Sequence, residues 1–193
     1  MENISKIFFK YRSYTPLPFL VLMVIFQKAS LASLLIGFTI VCIGESFRLW
    51  GVSYAGSETR TTGGGVGGTY LVVTGAFSHV RNPLYFGNMA IYLGIGIMSM
   101  SLFPYLLVIA AVFFFVQYTF IINEEEKYLL EKFGQLYLDY KTNVSRWIPN
   151  ISGYDKVGSE QPSYDIKKGL RSERRTLQAI TITTILLIIL YLV

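Results

Sequence analysis

Apolar positions in this chain fall in long unbroken runs rather than in alternation. Five such runs stand out, at 16–28, 30–54, 84–100, 104–122 and 176–193. Unbroken runs read as helices, whereas a membrane β-barrel needs ~10-residue segments of alternating hydrophobicity. A helix that crosses a bilayer takes ~20 apolar residues, so the first run is short and either borrows neighbouring residues or sits tilted in a hairpin. The pattern predicts an all-α integral membrane protein with about five transmembrane helices. The uncharged link at 99–103 makes the third and fourth spans a tight hairpin. The polar stretches differ in kind. Residues 1–15 read as a short interfacial segment. Residues 55–83 read as a loop, and its last part, TYLVVTGAFSHVRNPLY from Thr69 to Tyr85, is too polar to span yet runs straight into the third apolar run. Residues 123–149 carry Tyr128, Leu129, Leu136, Tyr137 and Tyr140 at roughly helical spacing among charges, which predicts a helix emerging from the fourth span and bent near Gly134. Three parts follow: a membrane core at 1–149, a polar basic linker at 150–175 and a C-terminal transmembrane helix at 176–193.

Composition strengthens the membrane reading. The chain is 52% hydrophobic and 15% charged, with mean hydropathy +0.46, more apolar surface than a soluble domain of 193 residues can hide. The net charge of +5 matches loops facing anionic lipid better than it matches nucleic acid. With Cys42 and His79 the single cysteine and histidine, an internal disulfide, a cysteine cluster and a histidine-rich metal site are all excluded, and no metal is expected. Phe26-Gln27-Lys28 offers no small-residue cleavage site for a signal peptide. Pairing the spans as hairpins puts every Lys and Arg except Lys28 on one side or at its membrane edge, and that side is expected to be cytoplasmic.

Candidate chemistry gathers at that face. Gly37, Gly44 and Gly51 repeat every seven residues, as do Gly87 and Gly94, so each set shares a helix face that a neighbour can approach closely. Glu45 and Arg48 are three apart near the end of the second span. They are either functional groups facing the interior or a structural pair at the membrane edge. Gly63, Gly65 and Gly68 match G-x-G-x-x-G, but a span and polar residues precede them, so a dinucleotide site is not supported. The 69–85 loop brings His79, Arg81, Asn82 and Tyr85, and the 123–149 segment brings Glu124, Glu125, Glu126 and Arg146. Arginine pairs bidentately with a carboxylate, and glutamate accepts from an ammonium, so a ligand bearing both groups suits the set. Leu71, Val72 and Phe77 can wall a flat ring. A structural account stands beside this one: Asn82 caps the next helix with Pro83 at its first position, the glutamates form a solvated face, and Arg146 touches lipid phosphate.

At these residues the chain resembles the isoprenylcysteine carboxyl methyltransferase and phospholipid methyltransferase family of integral membrane enzymes. One family motif reads here as Gly75, Phe77, Arg81, Asn82, Pro83, Tyr85 and Gly87. A second reads as Glu125, Glu126, Leu129, Phe133, Gly134, Tyr137, Tyr140, Arg146 and Pro149, and an R-x-W motif as Arg48 and Trp50. The resemblance implies S-adenosyl-L-methionine as cofactor, bound at the cytoplasmic face by Thr69, Tyr70, Leu71, Val72, Phe77, Asn82, Pro83, Leu84, Tyr85 and Glu125, with Arg81 and Glu126 beside them. It implies a lipid-like methyl acceptor entering from the membrane lipids, with Arg48 and Arg146 on the substrate side. His79 and Arg146 are the candidates for chemistry; His79 or a glutamate would act as base if the acceptor is an amine. Two positions depart from the family. Asn82 stands where His is usual, and Ile121 stands where the prenylcysteine enzymes carry an Arg for the substrate carboxylate. The acceptor is thus left open among a carboxylate, a phospholipid amine and an isoprenoid-like group. An NADPH-dependent enzyme like certain sterol reductases and a non-catalytic membrane relative are the competing expectations.

Overall fold

A computed structural model describes residues 2–56, 71–155 and 161–193, with side chains from Ser5 onward. Thr69, Tyr70 and the Gly63–Gly68 motif lie outside the described residues. Every regular element among the described residues is a helix, in the order α1 (Glu2–Tyr11), α2 (Pro16–Ile25), α3 (Leu31–Ala55), α4 (Ala76–His79), α5 (Pro83–Ser99), α6 (Tyr105–Phe133), α7 (Gln135–Asn143) and α8 (Ile166–Leu192). Three helices, α3, α6 and α8, are long and apolar enough to cross a membrane.

The expected first span is shorter than a crossing. α2 has 10 residues, about 15 Å at 1.5 Å per residue, half the hydrocarbon thickness. It packs beside α1 against α6: the Phe8 ring meets Phe113 and Phe120, and Phe19 meets Phe113 and Phe114. Gln117, the polar interruption of α6, is fully buried and satisfied at the α1–α2 corner. It accepts from the Thr15 hydroxyl at 3.0 Å and donates to the Phe8 carbonyl at 3.5 Å.

α3 and α5 form the most extensive helix pair, and the glycine spacing explains it. A Cβ on Gly44 would lie 2.7 Å from the Gly87 carbonyl oxygen, and one on Gly94 the same distance from that of Gly37. The two seven-residue repeats therefore mesh antiparallel, backbone against backbone. The hairpin at 99–103 closes as expected, with α5 ending at Ser99 and α6 starting at Tyr105.

α6 runs 29 residues, about 43 Å, longer than the ~30 Å hydrocarbon core, so its glutamate-bearing end projects past the apolar layer. It stops at Gly134, whose φ of +54 suits glycine, and α7 then turns away. The Lys167–Arg175 stretch, expected as linker, is instead the first turns of α8. Asp165 caps the helix by accepting from the Lys167 and Lys168 backbone amides, which starts it ten residues before the apolar run at Thr176.

Candidate active site

Successive helical residues point about 100° apart, so the three consecutive glutamates Glu124, Glu125 and Glu126 of α6 cannot share one duty. Glu126 is buried, and its carboxylate takes a two-pronged grip from Arg146, with Nε to Oε1 at 3.1 Å and Nη2 to Oε2 at 2.6 Å. Arg81 Nη2 stands 3.4 Å and Lys141 Nζ 3.6 Å from the same carboxylate. Arg146 also donates to Asn123 Oδ1 at 2.9 Å. Backbone contacts extend the clasp: Arg81 N–H donates to the Ser145 carbonyl at 2.9 Å, and Arg81 Nη1 to that of Lys141 at 2.8 Å. Glu126 is therefore the hub that ties the 75–83 loop to α7 and its tail. Three cations meet one carboxylate, which leaves positive charge in excess, and Arg81 Nε is buried there with no hydrogen-bond partner.

Glu125 faces elsewhere. Its Oε1 accepts from the Tyr85 hydroxyl at 2.7 Å. The Tyr85 ring packs 4.9 Å from that of Tyr118, whose hydroxyl donates to Tyr92 at 3.4 Å, so an aromatic column runs from this carboxylate down between α5 and α6. α1 brings Arg12 within electrostatic range of both Glu125 and Tyr85. Nothing in the sequence separated Arg12 from the other N-terminal cations, because only the fold of α1 against α6 places it there.

The 71–83 segment supplies the wall between these groups. Leu71 and Val73 are buried against Tyr137, Tyr140 and Val144, and Val72 between them is only partly buried. Burial pushes the Tyr137 and Tyr140 phenols up, so both stay protonated, and Tyr140 donates to the Phe77 carbonyl at 2.7 Å. Gly75 has φ +61, and a Cβ there would run into the Tyr54 ring. Pro83 opens α5 as expected, but Asn82 does not cap it with its side chain; Nδ2 reaches the Arg146 carbonyl at 3.5 Å instead. Leu84 packs at Gly51, where a Cβ would lie 3.1 Å from its Cδ1.

Two candidates are held apart from the Glu125 pair by protein partners. His79 Nδ1 donates to the Asn150 carbonyl at 2.6 Å, and its ring lies 5.3 Å from Trp50. Arg48 is buried between α3, α5 and α8. Its Nη2 meets Glu173 at 2.6 Å, its Nε lies 3.4 Å from Glu45, and it donates to the Leu84 carbonyl at 3.4 Å and to Asn88. Glu173 was not a sequence candidate, since it lies among basic residues that looked like linker. Among the described residues no group of three or more His, Cys, Asp or Glu is placed to hold a metal.

A model of the phospholipid methyltransferase family matches residues 32–136. Over 84 residues the chain is 42% identical to the protein-S-isoprenylcysteine O-methyltransferase of Saccharomyces cerevisiae, covering 42% of this chain and 33% of that protein. Over 120 residues it is 28% identical to the cobalt-zinc-cadmium resistance protein CzcN of Cupriavidus metallidurans, covering 62% of this chain and 49% of that one. The chain thus spans between about a third and a half of the length of these curated relatives. No solved structure matches.

Proposed function

The chain belongs to the phospholipid methyltransferase family, and from that premise we propose that it transfers a methyl group from S-adenosyl-L-methionine to a lipid-like acceptor, isoprenoid or phospholipid, at the membrane. The observation that carries the proposal is the pairing of opposite charges from two distant motifs. Tyr85 holds the Glu125 carboxylate, and the next residue, Glu126, holds Arg81, whose buried Nε has no hydrogen-bond partner, so both charges stand at the end of α6. Such a pair fits the ammonium and carboxylate of the donor's amino-acid end.

In this reading Glu125 and Tyr85 take the ammonium, and Arg81 with Asn82 takes the carboxylate. Leu71, Val72 and Phe77 enclose the nucleoside. Pro83 and Leu84 start the helix that presents Tyr85. Glu126 and Arg146 support the loop rather than touch the donor, because each already holds the other. Bound donor supplies an electrophilic methyl on a sulfonium, and transfer of that methyl needs positioning and exclusion of water more than acid–base chemistry. His79 serves as base only for an amine acceptor, through the Nε2 that its Nδ1 bond leaves as the acceptor nitrogen. Arg48 lies on the acceptor side, steadied by Glu173.

The spans that complete a multi-pass topology are α5 and the α1–α2 pair, beside α3, α6 and α8. The distribution of Lys and Arg supports a cytoplasmic active face. Calorimetry on the pure protein in detergent tests the donor: S-adenosyl-L-methionine binds with a Kd in the micromolar range, whereas an absence of binding removes the proposal. Labelled donor incubated with membranes, followed by mass spectrometry of the labelled lipid, identifies the acceptor.

A further inference from the structure

The described residues after Pro149 return to the site and are pinned at several points. Asn150 N–H donates to the His79 carbonyl at 2.8 Å, the Tyr154 ring meets Tyr140 at 5.7 Å, and Tyr164 meets Tyr54 at 5.4 Å. Asp165 N–H donates to the Ser53 carbonyl at 2.8 Å, and Glu173 locks to Arg48. Between these anchors Gln161 inserts its carboxamide into the 71–74 backbone. Its Nε2 donates to the Leu71 carbonyl at 2.9 Å, and its Oε1 accepts from Val73 N–H at 2.9 Å and the Thr74 hydroxyl at 3.4 Å. The donor and acceptor ends are both used, so the amide orientation follows from the partners.

This is the hydrogen-bond pattern of one rung of a sheet, supplied by a side chain. It holds residues 71–73 extended, and in extended backbone neighbouring side chains point to opposite faces. Leu71 and Val73 are buried against α7, and Val72 is turned to the other face. We propose that Gln161 is a positioning residue of the donor site: by fixing the Leu71–Val73 backbone it presents Val72 to the donor's nucleoside. The assignment rests on the reading of Leu71 and Val72 as donor wall given above. It makes the C-terminal segment part of the site, delivered by the docking of α8 on α3.

Gln161→Ala in the full chain tests this by calorimetry with S-adenosyl-L-methionine. Donor affinity falls about tenfold, a change of ~1.4 kcal/mol, and in turnover the KM for donor rises with kcat retained. A purely structural role does not predict the second result expected: Gln161→Ala and Val72→Ala are non-additive on donor affinity, while Gln161→Ala and Tyr85→Phe add. Gln161→Glu keeps the acceptor for Val73 and loses the donor to Leu71, so it carries the same test with an intermediate loss should the alanine variant fail to fold. Unchanged or tighter donor binding in both variants overturns the assignment. Wild-type protein that binds no donor overturns the proposed function instead, which keeps the two failures distinct.

Discussion

Removing Glu173 leaves a permanent charge inside the helix bundle. Arg48 and Glu173 side chains are 7% and 0% exposed and meet at 2.6 Å, so solvent screens the pair little. Breaking a buried pair by deleting one partner costs ~3–5 kcal/mol, chiefly because the survivor is stranded. In Glu173→Leu the guanidinium keeps Glu45 at 3.4 Å, the Leu84 carbonyl and Asn88, so the cost falls at the low end, about 3 kcal/mol. For a chain of this length that corresponds to a thermal midpoint lower by ~6–12 °C, at ~2–4 °C per kcal/mol. Arg48→Met strands two carboxylates, Glu173 and Glu45, each of which can take up a proton whereas arginine cannot, so its cost is of the same order as that of Glu173→Leu. Removing both with Arg48→Met/Glu173→Leu replaces the pair by apolar contact and leaves Glu45 to take up a proton, so part of the loss is recovered, giving a coupling of ~2 kcal/mol or more. Thermal melts of the four proteins in one detergent measure the cycle. Additive single variants, or a Glu173→Leu protein as stable as the wild type, would show that α8 is not fastened to α3 through this pair.

Further expectations follow from the same geometry. Glu126→Gln leaves Arg146, Arg81 and Lys141 facing a neutral amide; it lowers stability by ~2–3 kcal/mol and weakens donor binding by at least tenfold, read by melting and calorimetry on one preparation. Tyr85→Phe removes the 2.7 Å bond to Glu125, which the protein makes without donor, so it lowers stability by ~1.5–3 kcal/mol and, by releasing the carboxylate, lowers donor affinity about tenfold, read by melting and calorimetry. Gly44→Ala forces a methyl to within 2.7 Å of a backbone oxygen, so α3 and α5 separate at a cost of ~1–3 kcal/mol. Gly134→Ala meets no atom within 4 Å, so its cost of ~1–3 kcal/mol comes from the φ of +54 and ψ of −123 alone and leaves the α3–α5 contact intact.

The helices were legible because periodicity and punctuation are local. Pro83 opening α5, the turn at 99–103 and the break at Gly134 each act within a few residues, and each appears where the pattern put it. The seven-residue glycine repeats also announced a close helix contact, since small residues at one face have few other uses. The first apolar run was legible as too short for a simple crossing, but hydropathy alone does not show that α2 packs beside α1 against α6.

The site was legible only in part, and the adjacent pair Glu125 and Glu126 shows why. In sequence the two are equivalent carboxylates one residue apart. In the fold, one helical step sends Glu126 into Arg146, Arg81 and Lys141, and sends Glu125 to Tyr85. Which glutamate faces which partner depends on the rotation of α6 about its own axis. That rotation is set by Phe113, Phe114 and Gln117 packing on α1 and α2, about two to three turns away. The same holds for Arg48, whose partner in the sequence was Glu45 at three residues and whose strongest partner in the fold is Glu173, 125 residues on. A charge on a helix can be assigned to an edge from sequence, but its partner is a property of how helices are turned against each other. This is why the tail beyond Pro149, unassigned by motif, holds both the carboxylate that neutralises Arg48 and the amide that fixes Val72.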